Sequence, residues 1–379
     1  MKILIIGGGM GGTILANNLA RRLSTELRSG KARITMLSAS DRHLYQPGLL
    51  YLAIGRSTPD ALYRDQASLL EQGIEFHVDP VETFQLDDNK VVTKGGKTYG
   101  YDVLVIATGS RMVPEEVKGL AENAEFFYTE ETALKMMRRL QEFQGGNVVI
   151  TVGVPHKCPM APLEITFMLH DYFKERGIAD KVKMHYTYPI GRVHSLENVA
   201  KWAAPEFDRL GIKYETFFNI KEVDGAKKVL RSEEGSEVPF DLLVAIPAHR
   251  GMDVIEKNKL GQNGWIPTNK TKLNMEGRTN VYVIGDTTNI PISKAGSTAH
   301  FEAETLGENI AAMVKMGITS PMRDYDGKVF CFIEAGLDRA TYAMFNYQNP
   351  PDPKAPTRAM HWFKAAYNKL YWASARGLL

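Results

Sequence analysis

Five glycines packed into the first dozen residues set the narrowest limit on how this chain can fold. Residues 2–6, Lys-Ile-Leu-Ile-Ile, read as a short buried strand, and Gly7, Gly8, Gly9, Gly11 and Gly12 follow directly. A helical pattern then runs over 13–27, with Leu15, Leu19 and Leu23 at four-residue spacing, and a second strand over 33–37. Strand, helix, strand in this order calls for a parallel sheet. Gly7, Gly9 and Gly12 have the spacing G-x-G-x-x-G. The first allows the tight turn, the second lets a pyrophosphate approach the backbone, and the third lets helix pack close to strand. The phosphates then meet the positive end of the helix. An adenine dinucleotide is the expected ligand. An acid for its ribose usually ends the second strand. Ser38 stands there, and the nearest acid is Asp41, so either Ser38 makes the contact or Asp41 reaches back.

Further strands are expected at 103–107, closed by Thr108-Gly109, and at 147–152, 182–186, 242–246 and 281–284, the last ending in Gly285-Asp286. Helices are expected at 162–176 and 298–316. The first and last blocks read as one interrupted domain, residues 1–112 and 278–348, with a second domain inserted at 113–277. A proline-rich linker and a helix over 359–373 make up the tail, residues 349–379. A chain of 379 residues suits two domains. A formal charge of +2 gives no case for nucleic acid, and no metal site is assigned. No stretch is long and apolar enough to span a bilayer, and no secretory signal is read, so the cytoplasm is the expected compartment.

Only two cysteines are present, Cys158 and Cys331, too few for a disulfide scaffold. They are either inert core residues or chemistry. The start of the inserted domain is Thr151-Val-Gly-Val-Pro-His-Lys-Cys-Pro-Met-Ala-Pro162, where a second dinucleotide site would need glycines. Only Gly153 remains, and prolines offer no backbone N–H to a pyrophosphate, which argues against NAD(P)H. Cys158, beside His156 and Lys157 and just before a helix, sits where a thiolate is favoured.

The glycine turn, the strand ending in Ala107-Thr108-Gly109 and the strand ending in Gly285-Asp286 together resemble the two-dinucleotide-domain flavoproteins of the glutathione-reductase type. The resemblance implies an α/β fold of two Rossmann-like domains. It implies FAD held by Gly7, Gly9, Gly12, Ser38, Ala107, Thr108, Gly109, Gly285 and Asp286. The passages 45–55, 157–164 and Lys294-Ala295-Gly296 narrow it to the sulfide:quinone oxidoreductase and flavocytochrome c sulfide dehydrogenase family, over nearly the whole chain. That family implies Cys158 and Cys331 as a redox pair facing the flavin, with sulfide as substrate and sulfane sulfur or polysulfide as product. Many quinone-linked members carry a third cysteine before a threonine; here Tyr128 precedes Thr129, so non-covalent FAD is expected. Glu164 is a candidate for moving protons, or a surface helix acid. Lys294 is a candidate for positive charge near reduced flavin. His194 reads as structural.

The electron acceptor is expected to be a membrane quinone. Trp362, Tyr367, Tyr371 and Trp372 suit a headgroup boundary, with Lys364 and Lys369 free to snorkel, so a peripheral place on the cytoplasmic side of a membrane is expected. The same helix can instead pack on its own protein or in a homo-oligomer. Phe330, Phe332 and Phe345 are candidates for a quinone pocket. Two alternatives stand: the same chemistry with a soluble acceptor or sulfur-carrier partner, and a non-catalytic flavin-bearing assembly protein.

Overall fold

In the computed structural model, residues 1–318 and 323–378 are described. Residues 319–322, within the expected first domain, and residue 379 of the tail lie outside them. The first parallel sheet has the order Val281–Val283, Val103–Ile106, Lys2–Ile6, Arg33–Ser38, Ile74–Val78. Its register pairs Ile3 with Val103 on one side and Ile34 on the other, so the N-terminal strand is central. Every residue of Val103–Ile106 is buried, as a strand covered on both faces must be. The helix Met10–Arg22 starts one residue after Gly9 and ends earlier than expected; a short helix, Ser24–Arg28, completes the span.

The second parallel sheet orders Lys213–Glu215, Val182–Thr187, Gly146–Val152 and Leu242–Ile246. Helix Ala161–Glu175 packs on it, with a nearly continuous run of buried residues at its start. Each parallel sheet is accompanied by a three-stranded antiparallel meander, 81–100 beside the first and 220–239 beside the second. The chain thus builds the same α/β arrangement twice.

The hairpin Val329–Glu334 with Ala340–Phe345 bears Cys331. It lies against helices Ala161–Glu175 and Gly296–Met316, and the tail helix Arg358–Lys369 lies against its second strand. The expected single tail helix is broken at Leu370 into Arg358–Lys369 and Tyr371–Ala375. The second piece folds back on the N-terminal helix. Asn17 donates to the Ala375 carbonyl at 3.2 Å, Arg21 donates to those of Arg376 and Gly377, and His43 Nε2 lies 2.8 Å from the Tyr371 hydroxyl.

Candidate active site

The glycine turn has the shape of a cradle. A Cβ on Gly7 would lie 2.2 Å from the Ala107 carbonyl oxygen, and one on Gly12 would lie 2.1 Å from that of Gly7. These two glycines are required by close packing. A Cβ on Gly9 or Gly109 would meet nothing within 4 Å, so backbone faces open space at both. Gly9 caps the N-terminal helix with no side chain bonding its free amides. The same is true of Ala295 ahead of helix Gly296–Met316. Two positive helix ends are left available to an anionic or electron-accepting group. Ser38 is buried beside the turn, its Oγ 2.8 Å from where a Gly8 Cβ would be, while Asp41 is exposed.

The other two motifs expected to hold the cofactor meet across the sheet. Thr287 Oγ1 accepts the Gly109 N–H at 2.7 Å and lies 3.2 Å from Thr108 Oγ1. Ser110 Oγ donates to Asp286 Oδ2 at 2.9 Å. Thr287 and Ser110 were not singled out from sequence, although each directly follows a motif that was. The Asp286 loop is braced twice. Lys294 Nζ donates to the Asp286 and Thr288 carbonyls at 3.0 and 2.5 Å, and Glu302 Oε2 accepts the Gly285 N–H at 2.5 Å. Lys294 is held inward: it lies over the Trp265 ring at 4.2 Å, and burial lowers its pKa against the pull of Asp286 and Glu302. Glu302 is fully buried; burial raises its carboxyl to about 8, and its Oε1 has no partner among the described residues. These open glycines and free helix amides fit an adenine dinucleotide with a flavin ring.

The cysteine side is tied to that loop directly. The Cys158 N–H donates to the Lys294 carbonyl at 2.6 Å, and Cys158 itself has φ +53°, a left-handed backbone that a residue with a Cβ seldom adopts. Both cysteines are free and half-buried. Folding brings them near each other: both pack against the same core cluster, after burial Cys158 is the neighbour that most raises the Cys331 thiol, and Ser297 hydrogen-bonds it. The thiolate expectation for Cys158 is corrected. Burial, then the nearby Glu164 carboxylate, pushes its thiol up to about 12. Lys364 opposes this without reversing it. Burial holds His156 down at about 4, and Lys157 sends its Nζ to Gln46 Oε1 at 2.9 Å. His194 is structural: Nε2 lies 2.9 Å from the Pro159 carbonyl, and Nδ1 accepts the Leu196 N–H at 3.0 Å.

Glu164 is not a surface acid. It is buried, its Oε1 accepts the Glu334 N–H at 3.0 Å, and it is paired with Lys364. Lys364 was expected to snorkel from a helix edge; the structure buries it between Glu164 and Glu334. Burial alone would lower its pKa, but Glu164, Tyr51 and Glu334 hold the ammonium well above its ordinary value. Tyr51 donates to Glu334 Oε1 at 2.7 Å, and His361 Nδ1 lies 3.0 Å from Glu334 Oε2. Strand pairing separates the three phenylalanines. Phe345 lies opposite Val329, on the Cys331 face and in the core, whereas Phe330 and Phe332 point the other way, toward Tyr367. Tyr371 and Trp372 also turn inward, onto His43 and Arg64. On the tail helix Trp362 is 70% exposed, Phe363 63%, Leu370 48% and Tyr367 41%.

Comparison with known proteins agrees with this architecture. The sulfide:quinone oxidoreductase of Mus musculus mitochondria is 26% identical over 363 residues, 92% of this chain and 79% of its own. The sulfide-quinone reductase of Aquifex aeolicus (strain VF5) is 27% identical, covering 99% of this chain and 91% of its own. The crystal structure of the Aquifex aeolicus sulfide:quinone oxidoreductase superposes with a TM-score of 0.87 at 25% identity, over 99% of this chain and 91% of that one. The family described as pyridine nucleotide-disulphide oxidoreductase matches residues 1–313. The chain therefore belongs to the pyridine nucleotide-disulphide oxidoreductase family, as an oxidoreductase of the sulfide:quinone oxidoreductase kind.

Proposed function

We propose that this chain oxidises sulfide to sulfane sulfur at the Cys158–Cys331 pair and passes the electrons, through non-covalently held FAD, to a membrane quinone. The observation that carries this reading is the tie between the two halves of the site. The only two cysteines of the sequence pack against the same core, and the backbone of one is bonded to the lysine that braces the Asp286 loop. FAD would rest on Gly7, Gly9, Gly12, Ser38, Ala107, Thr108, Gly109, Gly285 and Asp286, and would supply two-electron acceptance and its return to quinone.

In the oxidised enzyme the cysteines form a bridge. Hydrosulfide attacks one bridge sulfur, the sulfur–sulfur bond breaks, and the displaced cysteine keeps the electron pair as a thiolate while the other carries a persulfide. The N-terminus of helix Gly296–Met316 and Lys294 favour negative charge beside them. Reducing a quinone needs protons. Glu164, Lys364, Glu334 and His361 form a continuous polar path from beside Cys158 to the half-buried His361 on the tail helix. The exposed aromatics of that helix suit a bilayer surface on the cytoplasmic side, with the quinone entering near Phe330 and Phe332.

The test is an anaerobic titration of the purified protein with sulfide, following the flavin's visible absorbance, then addition of a quinone in detergent. Bleaching by sulfide and recovery with quinone are expected. Cys158→Ser and Cys331→Ser should each bind flavin yet fail to bleach. Bleaching that only a soluble acceptor reverses would replace quinone in this reading. Near-normal bleaching in either variant would sink the cysteine scheme. Denaturation should release free FAD; flavin remaining on the polypeptide would refute non-covalent binding.

A further inference from the structure

Four buried polar side chains, Thr13, His43, Gln66 and Tyr371, stand behind the glycine turn. They come from separate parts of the chain: helix Met10–Arg22, strand Arg42–Leu44, a turn at 66 and the second tail helix, Tyr371–Ala375. Burying polar groups is unfavourable unless each is bonded, and each of these is. His43 Nε2 lies 2.8 Å from the Tyr371 hydroxyl, and Nδ1 lies 3.1 Å from Gln66 Oε1. Gln66 Nε2 donates to Thr13 Oγ1 at 3.0 Å, and Thr13 Oγ1 donates to the Gly8 carbonyl at 3.2 Å.

The donors fall into one order. Thr13 Oγ1 has a single proton, and the Gly8 carbonyl, which has none, takes it. Thr13 therefore accepts from Gln66 Nε2, which turns Gln66 Oε1 toward His43. Oε1 can only accept, so His43 Nδ1 carries the imidazole proton and Nε2 is bare. Burial lowers the His43 pKa and so favours the neutral ring that this order requires. The bare nitrogen accepts from Tyr371. The bonds thus run one way, from Tyr371 through His43, Gln66 and Thr13 to the Gly8 carbonyl.

That carbonyl shares a planar trans peptide with the Gly9 N–H, and the two point in opposite directions. Holding the oxygen back toward Thr13 aims the N–H out of the turn, at a residue whose Cβ would meet nothing within 4 Å. With glycine on both sides, this peptide has little preference of its own, so its orientation is imposed by what bonds it.

We propose that Tyr371 is a positioning residue for the cofactor: through His43, Gln66 and Thr13 it fixes the Gly8–Gly9 peptide so that its N–H meets the FAD pyrophosphate. This rests on the reading of the glycine turn as the FAD site. The tail that carries Lys364 and the exposed aromatics therefore also sets how tightly the flavin is held.

The test is a dilution series of the holoenzyme, in which the rise in flavin fluorescence as FAD leaves gives its Kd. Thr13→Val removes the hydroxyl at nearly constant volume and should weaken FAD about tenfold. Tyr371→Phe keeps the ring against Tyr45 and should weaken it about threefold. Thr13→Ser keeps the hydroxyl and should hold FAD as wild type does. Because the links are in series, Tyr371→Phe added to Thr13→Val should weaken FAD no further, about tenfold in all rather than about thirtyfold. If Thr13→Val does not fold, Gln66→Met breaks the chain one link earlier and takes its place in the cycle. A wild-type Kd in Tyr371→Phe, no rescue by serine, or full multiplication in the double variant overturns the relay and leaves the FAD site standing. Wild type that holds no FAD overturns the cofactor reading, and the relay with it.

Discussion

Glu302 shows how far one residue can depart from its surroundings in sequence. It lies on a largely apolar stretch of helix, is fully buried, and holds its proton to about 8 because burial disfavours the charged form. In the unfolded chain the same group ionises near 4.5. The native state therefore binds the extra proton between these values, and stability falls as pH rises through that window, by at most about 5 kcal/mol. Thermal unfolding at pH 5 and pH 9 should show the loss, as order-of-magnitude settings for either side of the window. Glu302→Gln keeps an acceptor for the Gly285 N–H and has no proton to give up, so its melting temperature should be nearly flat over the same range. An equally steep loss in the variant would place the effect elsewhere.

At the scale of elements, the tail helix joins two roles that its sequence does not separate. One face holds Lys364 between Glu164 and Glu334, and the other leaves Trp362 and Phe363 exposed. Lys364→Met should strand two buried carboxylates, costing about 3–5 kcal/mol and loosening the tail, read as faster proteolysis after the proline-rich linker. Trp362→Ser with Phe363→Ser should leave sulfide bleaching unchanged but weaken sedimentation with anionic vesicles at least tenfold, since each ring contributes about 2 kcal/mol when buried. Vesicle binding equal to wild type would remove the tail as the docking surface.

Much of this was legible in the sequence where the physics is local. The parallel strands and main helices appear within a few residues of their expected positions, because buried strands and periodic helices announce themselves. The glycine turn and the Gly285-Asp286 end carry their own geometry. What did not read was non-local. Lys364 finds its partners on a helix and a strand far away in sequence, and Phe345 is separated from Phe330 and Phe332 by strand register. The two antiparallel meanders are built of short, half-exposed strands with weak alternation.

On the scale of the whole molecule, one α/β arrangement is used twice, and only the first copy keeps an open glycine turn. In the second copy Gly153 is backed by the Ala248 N–H, and the helix that follows begins among buried residues with Pro162 in its first turn. An excess of NADH should therefore leave the flavin oxidised under conditions where sulfide bleaches it; rapid bleaching by NADH would show that the second copy still takes a nucleotide.

The return of residues 371–377 to the N-terminal helix also bears on how the protein is made. Asn17, Arg21 and His43 leave the ribosome long before the groups they bond, which lie at least 328 residues further along the chain. Both sheets can form during synthesis, but the helix behind the glycine turn lacks its cover until the tail arrives. Nascent chains stalled before residue 358 should thus resist protease in both sheets and retain FAD poorly, so that cofactor loading waits for residues 371–377.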